Sequence, residues 1–313
     1  IVSDRVTGEL SGPSIDAATR RLHEIRVSDR LRLVGTDFDH TIYDPRDPDG
    51  LRAAGKILLS VAEASVAIAV ITARDSSFLR DTAPHLLRVL RDSRSIERAE
   101  ILFATANGTR IFRVGSETRP EFVVGRIVTL EQAAELAATY TALIGDRAIR
   151  GVVERMAEDA RKDWRGYIDP RRTDMTLRHP GVWVDEGKVT LALPDDPAAR
   201  PDFVEAMRQA VSPEFLVARS REALVLDVSA RLLPEVEDQK LAALRIIQHR
   251  LGLTDDETAT FGDSPYGNDA GLLSVKYGFS NTPVTEAHPM FLEGNVGRVT
   301  KIYRALKFIT TRH

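Results

Sequence analysis

Across residues 1–114, short continuous apolar runs alternate with stretches whose apolar residues recur at helical spacing. Leu31 to Val34 is the first such run and predicts a buried strand. Before it, Ile15 to Ile25 sets Ala18, Leu22 and Ile25 on one face of a short helix that Ser14 can cap, while residues 1–13 show no clear periodicity. After it, Tyr43 to Gly50 is turn-rich and Leu51 to Ala64 has the spacing of an amphipathic helix. Val66 to Ile71 predicts a second buried strand, followed by a helix with Leu79, Leu86, Leu87 and Leu90, for which Asp75 or Ser76 is the expected cap. A third run, Ile101 to Thr105, stops at the turn signal Asn107-Gly108 and continues as Thr109 to Val114. Strands and helices in this alternation predict an α/β fold with a doubly wound parallel sheet.

From about Gly115 the pattern changes. Thr129 to Ile144, Ala148 to Lys162 and Asp202 to Ala210 read as helices. Thr173 to His179 and Val182 to Leu193 read as strands joined at Pro180-Gly181, and Phe215 to Ala218 as a further strand paired with Ala223 to Val228. Strands joined by short turns belong to antiparallel sheets, so residues 115–217 predict an inserted α+β domain and leave residues 1–114 and 218–313 as the core. The core pattern then resumes with a helix over Gln239 to Leu251, a fourth strand over Thr258 to Phe261 and a closing helix over Val299 to Ile309. The chain carries no internal repeat.

The polar residues that matter stand where the predicted strands end. The first strand runs into Asp37, Asp39 and Thr41, and in open α/β sheets the carboxyl edge is where ligands bind. Two carboxylates one residue apart suit phosphoryl transfer: one attacks phosphorus, the other moves the proton, and the hydroxyl holds a phosphate oxygen. Thr72 ends the second strand and can donate to a phosphate oxygen. Lys240 opens a helix and can place a cation beside nucleophile and phosphate. Gly262-Asp263-Ser264 ends the fourth strand, with Asn268-Asp269 beyond it. Asp37, the backbone carbonyl of Asp39 and Asp263 make an all-oxygen shell of the kind Mg²⁺ prefers, and Asp269 is a further candidate.

Composition narrows the field. Hydrophobic residues at 43% and charged residues at 28% are those of a globular protein, and no apolar run approaches the ~20 residues a membrane helix needs. With a net charge of −3 nothing in the overall charge argues for nucleic acid or an anionic membrane, and neither is expected as a partner. With no cysteine, thiolate catalysis and Cys-ligated zinc are excluded. A cytoplasmic location is expected, with a small phosphorylated substrate; the oligomeric state is left open.

The DxDxT spacing of Asp37, Asp39 and Thr41, followed in order by Thr72, Lys240 and the Asp263 motif, resembles the four motifs of the haloacid dehalogenase superfamily, mostly phosphatases with a Rossmann-like core. Thr72-Ala73-Arg74, Asn107-Gly108 and Gly262-Asp263-Ser264 with Asn268-Asp269 resemble the branch that includes Cof-type sugar-phosphate phosphatases and sucrose-phosphate phosphatase. That branch inserts a C2-type cap between the second and third motifs, which is where residues 115–217 fall. The resemblance implies a Mg²⁺-dependent phosphomonoesterase working through an aspartyl-phosphate on Asp37, with Asp39 as acid and base. It implies a cap that chooses the substrate, for which Arg74, Asn107, Trp164, Arg171 and Arg172 are the candidate contacts. A phosphotransferase or phosphomutase on the same core, or a non-catalytic domain, are the alternatives. Three positions depart from the pattern: His40 stands where Gly or Asn is usual, Leu241 follows Lys240 in place of Gly, and two extra residues separate Asp263 from Asn268-Asp269.

Overall fold

The computed structural model describes the chain apart from residues 1–12, 28–29, 45, 48, 75–77, 80–81, 93–96, 98, 115–120, 155–177, 186, 220–223, 285–289, 293–297 and 311–313. The predicted helix Ala148 to Lys162, the strand Thr173 to His179 and the cap at Asp75 or Ser76 lie wholly or largely outside the described residues.

In chain order the first half consists of α1 (Pro13–Val27), β1 (Leu33–Thr36), α2 (Gly50–Glu63), β2 (Ala67–Ile71), α3 (Ala83–Asp92), β3 (Ile101–Thr105), β4 (Arg110–Val114) and β5 (Glu121–Gly125). Next come α4 (Leu130–Ile144), β6 (Val182–Val184), β7 (Lys188–Ala192), α5 (Arg200–Ala210), β8 (Phe215–Arg219) and β9 (Val225–Ala230). The chain closes with α6 (Gln239–Leu251), β10 (Thr258–Gly262), β11 (Tyr277–Ser280), β12 (Met290–Phe291) and α7 (Arg298–Thr310).

The larger sheet has eight strands in the order β12-β11-β10-β1-β2-β3-β4-β5. From β12 to β3 the pairings are parallel, and β4 and β5 extend the sheet antiparallel. All four residues of β1 and all five of β3 and β10 are buried, which is why their sequences are continuous apolar or small-residue runs rather than alternating ones. One face is covered by Leu22 and Ile25 of α1, Ile57, Leu58 and Val61 of α2, Leu86 and Leu90 of α3, and Ile302 and Leu306 of α7. Ala242, Ala243, Leu244 and Ile247 of α6 pack on the opposite face. Helices on both faces are what a doubly wound sheet requires.

The smaller sheet, β6-β7-β9-β8, is antiparallel throughout. Its apolar face packs against Leu136 and Tyr140 of α4 and Phe203 and Met207 of α5. Helix α4 begins at a capping box: the Thr129 side chain accepts from the Gln132 N–H, and the Gln132 side-chain oxygen accepts from the Thr129 N–H.

Two details differ from the sequence reading. Val182 to Leu193 is not one strand but the hairpin β6–β7, because Asp185 turns the chain and its N–H donates to the Lys188 carbonyl at 2.9 Å. The junctions at 114/115 and 217/218 do not coincide with the sheet edges: β5 belongs to the larger sheet, and β8 and β9 belong to the smaller one. The first three strands are parallel, as read, and the turn read at Asn107-Gly108 sends β4 back antiparallel.

Candidate active site

Strand β1 delivers Asp37 to the carboxyl edge of the larger sheet, where the Asp37 N–H donates to the Phe261 carbonyl at 2.9 Å and so prolongs the β1–β10 pairing. Its neighbour Thr36 turns its hydroxyl onto the Asp37 carbonyl at 2.7 Å. Asp37 is buried, and its two carboxylate oxygens have different partners. Oδ1 accepts from Lys240 Nζ at 2.6 Å, while among the described residues Oδ2 has only the Thr41 hydroxyl, at 3.4 Å.

Lys240 sits in the first turn of α6. Asp238 caps that helix, accepting from the Leu241 N–H at 2.9 Å, and its other oxygen accepts from the Gly271 N–H at 3.2 Å. The lysine is only 1% exposed and its second carboxylate partner is Asp269 Oδ1, at 2.5 Å. The other Asp269 oxygen accepts from the N–H groups of Asp263 and Ser264, both at 3.0 Å. Gly262 makes this approach possible, since a Cβ there would lie 2.8 Å from Asp269 Oδ2.

The two extra residues before Asp269 are taken up by a closed turn in which Gly267 and Asp269 donate to the Ser264 carbonyl at 3.0 and 3.3 Å. The longer spacing therefore still brings Asp269 into the site.

Asp37, Asp263 and Asp269 offer carboxylate oxygens that lie within 4.8 Å of one another. One lysine serves two of these carboxylates, and that decides the electrostatics. Burial, then the Asp269 charge, pushes the Asp37 carboxyl well above the usual carboxylate range; Lys240 pulls it down and Asp263 adds to the rise. Lys240, for its part, keeps its proton: burial works against the ammonium, but Asp269 and Asp37 together outweigh it. The site as it stands carries more negative charge than its lysine neutralises, and all the donors are oxygen. Both features fit a hard divalent cation. Both Asp269 oxygens are engaged inside the site, one by Lys240 and the other by the Asp263 and Ser264 N–H groups.

Asp39 stands at the rim, with its side chain about one-third exposed at 32%. Arg74 holds it in a bidentate pair, Nε to Oδ2 at 2.9 Å and Nη2 to Oδ1 at 2.7 Å, and the guanidinium lies 5.3 Å from the ring centroids of both Phe38 and Tyr43. The candidate substrate contact Arg74 is thus placed on Asp39. His40, the unusual residue after Asp39, has φ of +56°, a left-handed conformation that Gly or Asn adopts at lower cost. Its N–H donates to the Tyr43 carbonyl at 2.7 Å, and its carbonyl accepts from Asn281 Nδ2 at 2.9 Å, so the conformation is held from both sides.

Thr72 is fully buried at the end of β2, and its hydroxyl oxygen accepts from the Arg74 N–H at 3.1 Å. Asn107 is 6% exposed and donates from Nδ2 to Asp227 Oδ2 of β9 at 2.9 Å. Trp164, Arg171 and Arg172 lie outside the described residues. Sequence reasoning missed Asp227, Lys188, Asn281 and Arg298, the last with Nη1 3.9 Å from Asp263 Oδ2. Only Asp227 left a trace in the sequence, as a carboxylate inside the apolar strand Val225-Leu226-Asp227-Val228.

No protein-family model and no curated protein sequence matches the chain. Solved structures do. An IMP-bound, N-terminally truncated IMP-nucleotidase of Plasmodium falciparum aligns at 15% identity over 96% of this chain and 73% of its own, with a TM-score of 0.52. BT1666 of Bacteroides thetaiotaomicron, described as a phosphatase of the haloalkanoate enzyme superfamily, aligns at 14% identity over 85% and 90%, with a TM-score of 0.56. The subclass IIB sugar phosphatase BT4131 aligns at 17% identity over 83% and 93%, with a TM-score of 0.52. At these identities the likeness is one of fold: a mainly parallel α/β core accompanied by a second α/β unit. Among the described residues no helix is long and apolar enough to cross a membrane.

Proposed function

We propose that the chain is a haloacid dehalogenase-type phosphomonoester hydrolase that carries the phosphoryl group on Asp37 and acts on a small phosphorylated metabolite, sugar phosphates first among them. The observation that carries the reading is the buried Asp37–Lys240–Asp269 array at the carboxyl edge of β1 and β10, with a second carboxylate, Asp39, two residues from the first. The motif order in the sequence and the fold of the solved phosphatases support it. Residues 115–217, apart from β5, form on this reading most of a C2-type cap over the core, which the rest of β8 and β9 complete.

Oδ2 of Asp37 is the freer oxygen and is the one that attacks phosphorus, while Lys240 holds Oδ1 and fixes the carboxylate plane. As the new O–P bond forms, the bond from phosphorus to the leaving oxygen breaks, and protonated Asp39 gives its proton to the departing alkoxide. Asp39, now a carboxylate, takes a proton from water as that water attacks the aspartyl-phosphate; inorganic phosphate leaves and Asp37 is restored. Both Asp39 oxygens are engaged by Arg74, so one must be released for either transfer. Thr41, Thr72 and Lys240 supply donors to the phosphoryl oxygens. Asp37, Asp263 and the Asp39 carbonyl would hold Mg²⁺, with Asp269 orienting Lys240 and the Asp263 backbone. When bound, the ion neutralises charge on the phosphoryl oxygens that one lysine cannot balance alone.

The test is phosphate release from a panel of phosphomonoesters, with Mg²⁺ and with chelator. Release that requires Mg²⁺ is expected, with a sugar phosphate among the best substrates. Absence of release from every ester would defeat the reading.

A further inference from the structure

The turn after β3 holds its conformation against strain. Ala106, Asn107 and Gly108 have φ of +52°, +61° and +98° in succession. Non-glycine residues pay about 1–2 kcal/mol each for this conformation, and it persists only where the surroundings impose it.

Here they impose it from three sides. Toward the loop after β2, the Ala106 N–H donates to the Arg74 carbonyl at 2.6 Å and the Asn107 N–H to the Thr72 carbonyl at 2.9 Å. Toward α6, a Cβ on Gly108 would stand 2.7 Å from Ala243 Cβ and 2.9 Å from the Gln239 carbonyl oxygen. Toward the smaller sheet, a Cβ on Gly187 would overlap Ala106 Cβ and Thr109 Oγ1, and Asp227 accepts from Asn107.

Asp227 is itself fixed. Lys188 Nζ donates to its Oδ2 at 2.8 Å and the Thr190 hydroxyl to its Oδ1 at 2.6 Å. The Asn107 side chain spends its amide on Asp227, while its buried Oδ1 has no hydrogen-bond partner among the described residues, so Asp227 sets the orientation of the amide. Apolar packing would fill this space without fixing an angle. A charge-assisted hydrogen bond fixes one.

We propose that Asp227 is a positioning residue for the reaction. Through Asn107 and the 106–108 turn it holds the Thr72–Arg74 loop, and with that loop the guanidinium that aligns Asp39. The inference rests on the phosphohydrolase reading of Asp39 as acid and base. It extends the machinery into the second sheet, 120 residues from Asn107 in sequence.

The cleanest probe is Asn107→Gly, because glycine keeps the left-handed backbone without strain and removes only the link to Asp227. A second variant, Lys188→Met with Asp227→Leu, replaces the partly buried pair by apolar residues and removes the same anchor from the other side. Two readouts apply to both. The first is the Arg74 Nε–H resonance, assigned by its loss in Arg74→Lys; it reports the pair with Asp39 without any turnover. The second is the ratio of kcat/KM for an alkyl phosphate, whose leaving oxygen needs a proton, to that for p-nitrophenyl phosphate, whose leaving group needs none.

The expected result in both variants is a shifted Nε–H resonance and a ratio at least fivefold lower than wild type. An unmoved resonance, or parallel loss on both esters, would show Asp227 to be structural only and overturn the proposal. A wild type inactive on both esters would defeat the phosphohydrolase reading instead, and the resonance would still decide whether Asp227 holds Arg74.

Discussion

Asp37 and Lys240 are 203 positions apart in sequence and 2.6 Å apart in the fold, and the same ammonium lies 2.5 Å from Asp269. Lys240→Met therefore strands two buried carboxylates at once. Breaking a buried pair in this way costs about 3–5 kcal/mol. A urea unfolding midpoint well below wild type is expected, and adding Asp269→Asn to the variant should recover part of the loss. An unchanged midpoint would mean that the lysine does not compensate these charges.

Asp269→Asn alone tests a different link. The amide retains an oxygen for the N–H groups of Asp263 and Ser264 but loses the charge that faces Lys240. Removing a group that orients metal ligands typically costs 10–100-fold in metal affinity or activity. The Mg²⁺ concentration for half-maximal phosphate release should rise by about tenfold or more, with a smaller loss of stability than in Lys240→Met. A Mg²⁺ titration equal to wild type would place Asp269 outside the metal's support.

How legible the site was depended on distance in sequence. Asp37, Asp39, Thr72 and Asp263 follow strands, and a continuous apolar run ending in a polar residue is a local signal. Lys240 was found through the order of motifs, and the structure shows what that order encodes: α6 packs on the sheet with its first turn at the carboxyl edge. Arg74 was read as a substrate contact because nothing local reveals that its partner is Asp39, 35 residues away. Strands β5, β11 and β12, at or near the edges of the larger sheet, have no counterpart in the sequence reading. Asp227 becomes meaningful only once the smaller sheet meets the 106–108 turn.

Gly108 and Gly252 make a controlled pair. Both have positive φ, +98° and +65°, but a Cβ on Gly252 meets nothing within 4 Å, whereas one on Gly108 runs into α6. Gly252→Ala should cost about 1 kcal/mol from backbone strain. Gly108→Ala adds overlap with Ala243 and Gln239 and should cost at least about 2 kcal/mol. Thermal unfolding of the two variants checks the order, and equal shifts in Tm would contradict the close approach of this turn to α6.

Asp227 should also mark the acid side of the stability profile. Burial raises its carboxyl, but the Lys188 charge and hydrogen bonds from Lys188, Thr190 and Asn107 outweigh that and hold it below the usual carboxylate range. Folding thus favours the ionised form. The stabilisation is complete above the unfolded value of about 4 and is lost as pH falls through the lower native value. The stability difference between wild type and Asp227→Asn should be constant from pH 7 to 5 and shrink below pH 4. A difference independent of pH down to acid unfolding would contradict the ionised pair.

The most direct measurement is mass spectrometry of the Asp37-bearing peptide after acid quench of the Asp39→Asn variant mixed with Mg²⁺ and p-nitrophenyl phosphate, whose leaving group needs no proton from Asp39. Without Asp39 to activate water, the aspartyl-phosphate should accumulate, and that peptide should gain the mass of one phosphoryl group. The gain should be absent when Asp37→Asn is added. A phosphoryl group on another residue, or none on any peptide while the wild type turns over, would contradict Asp37 as the nucleophile.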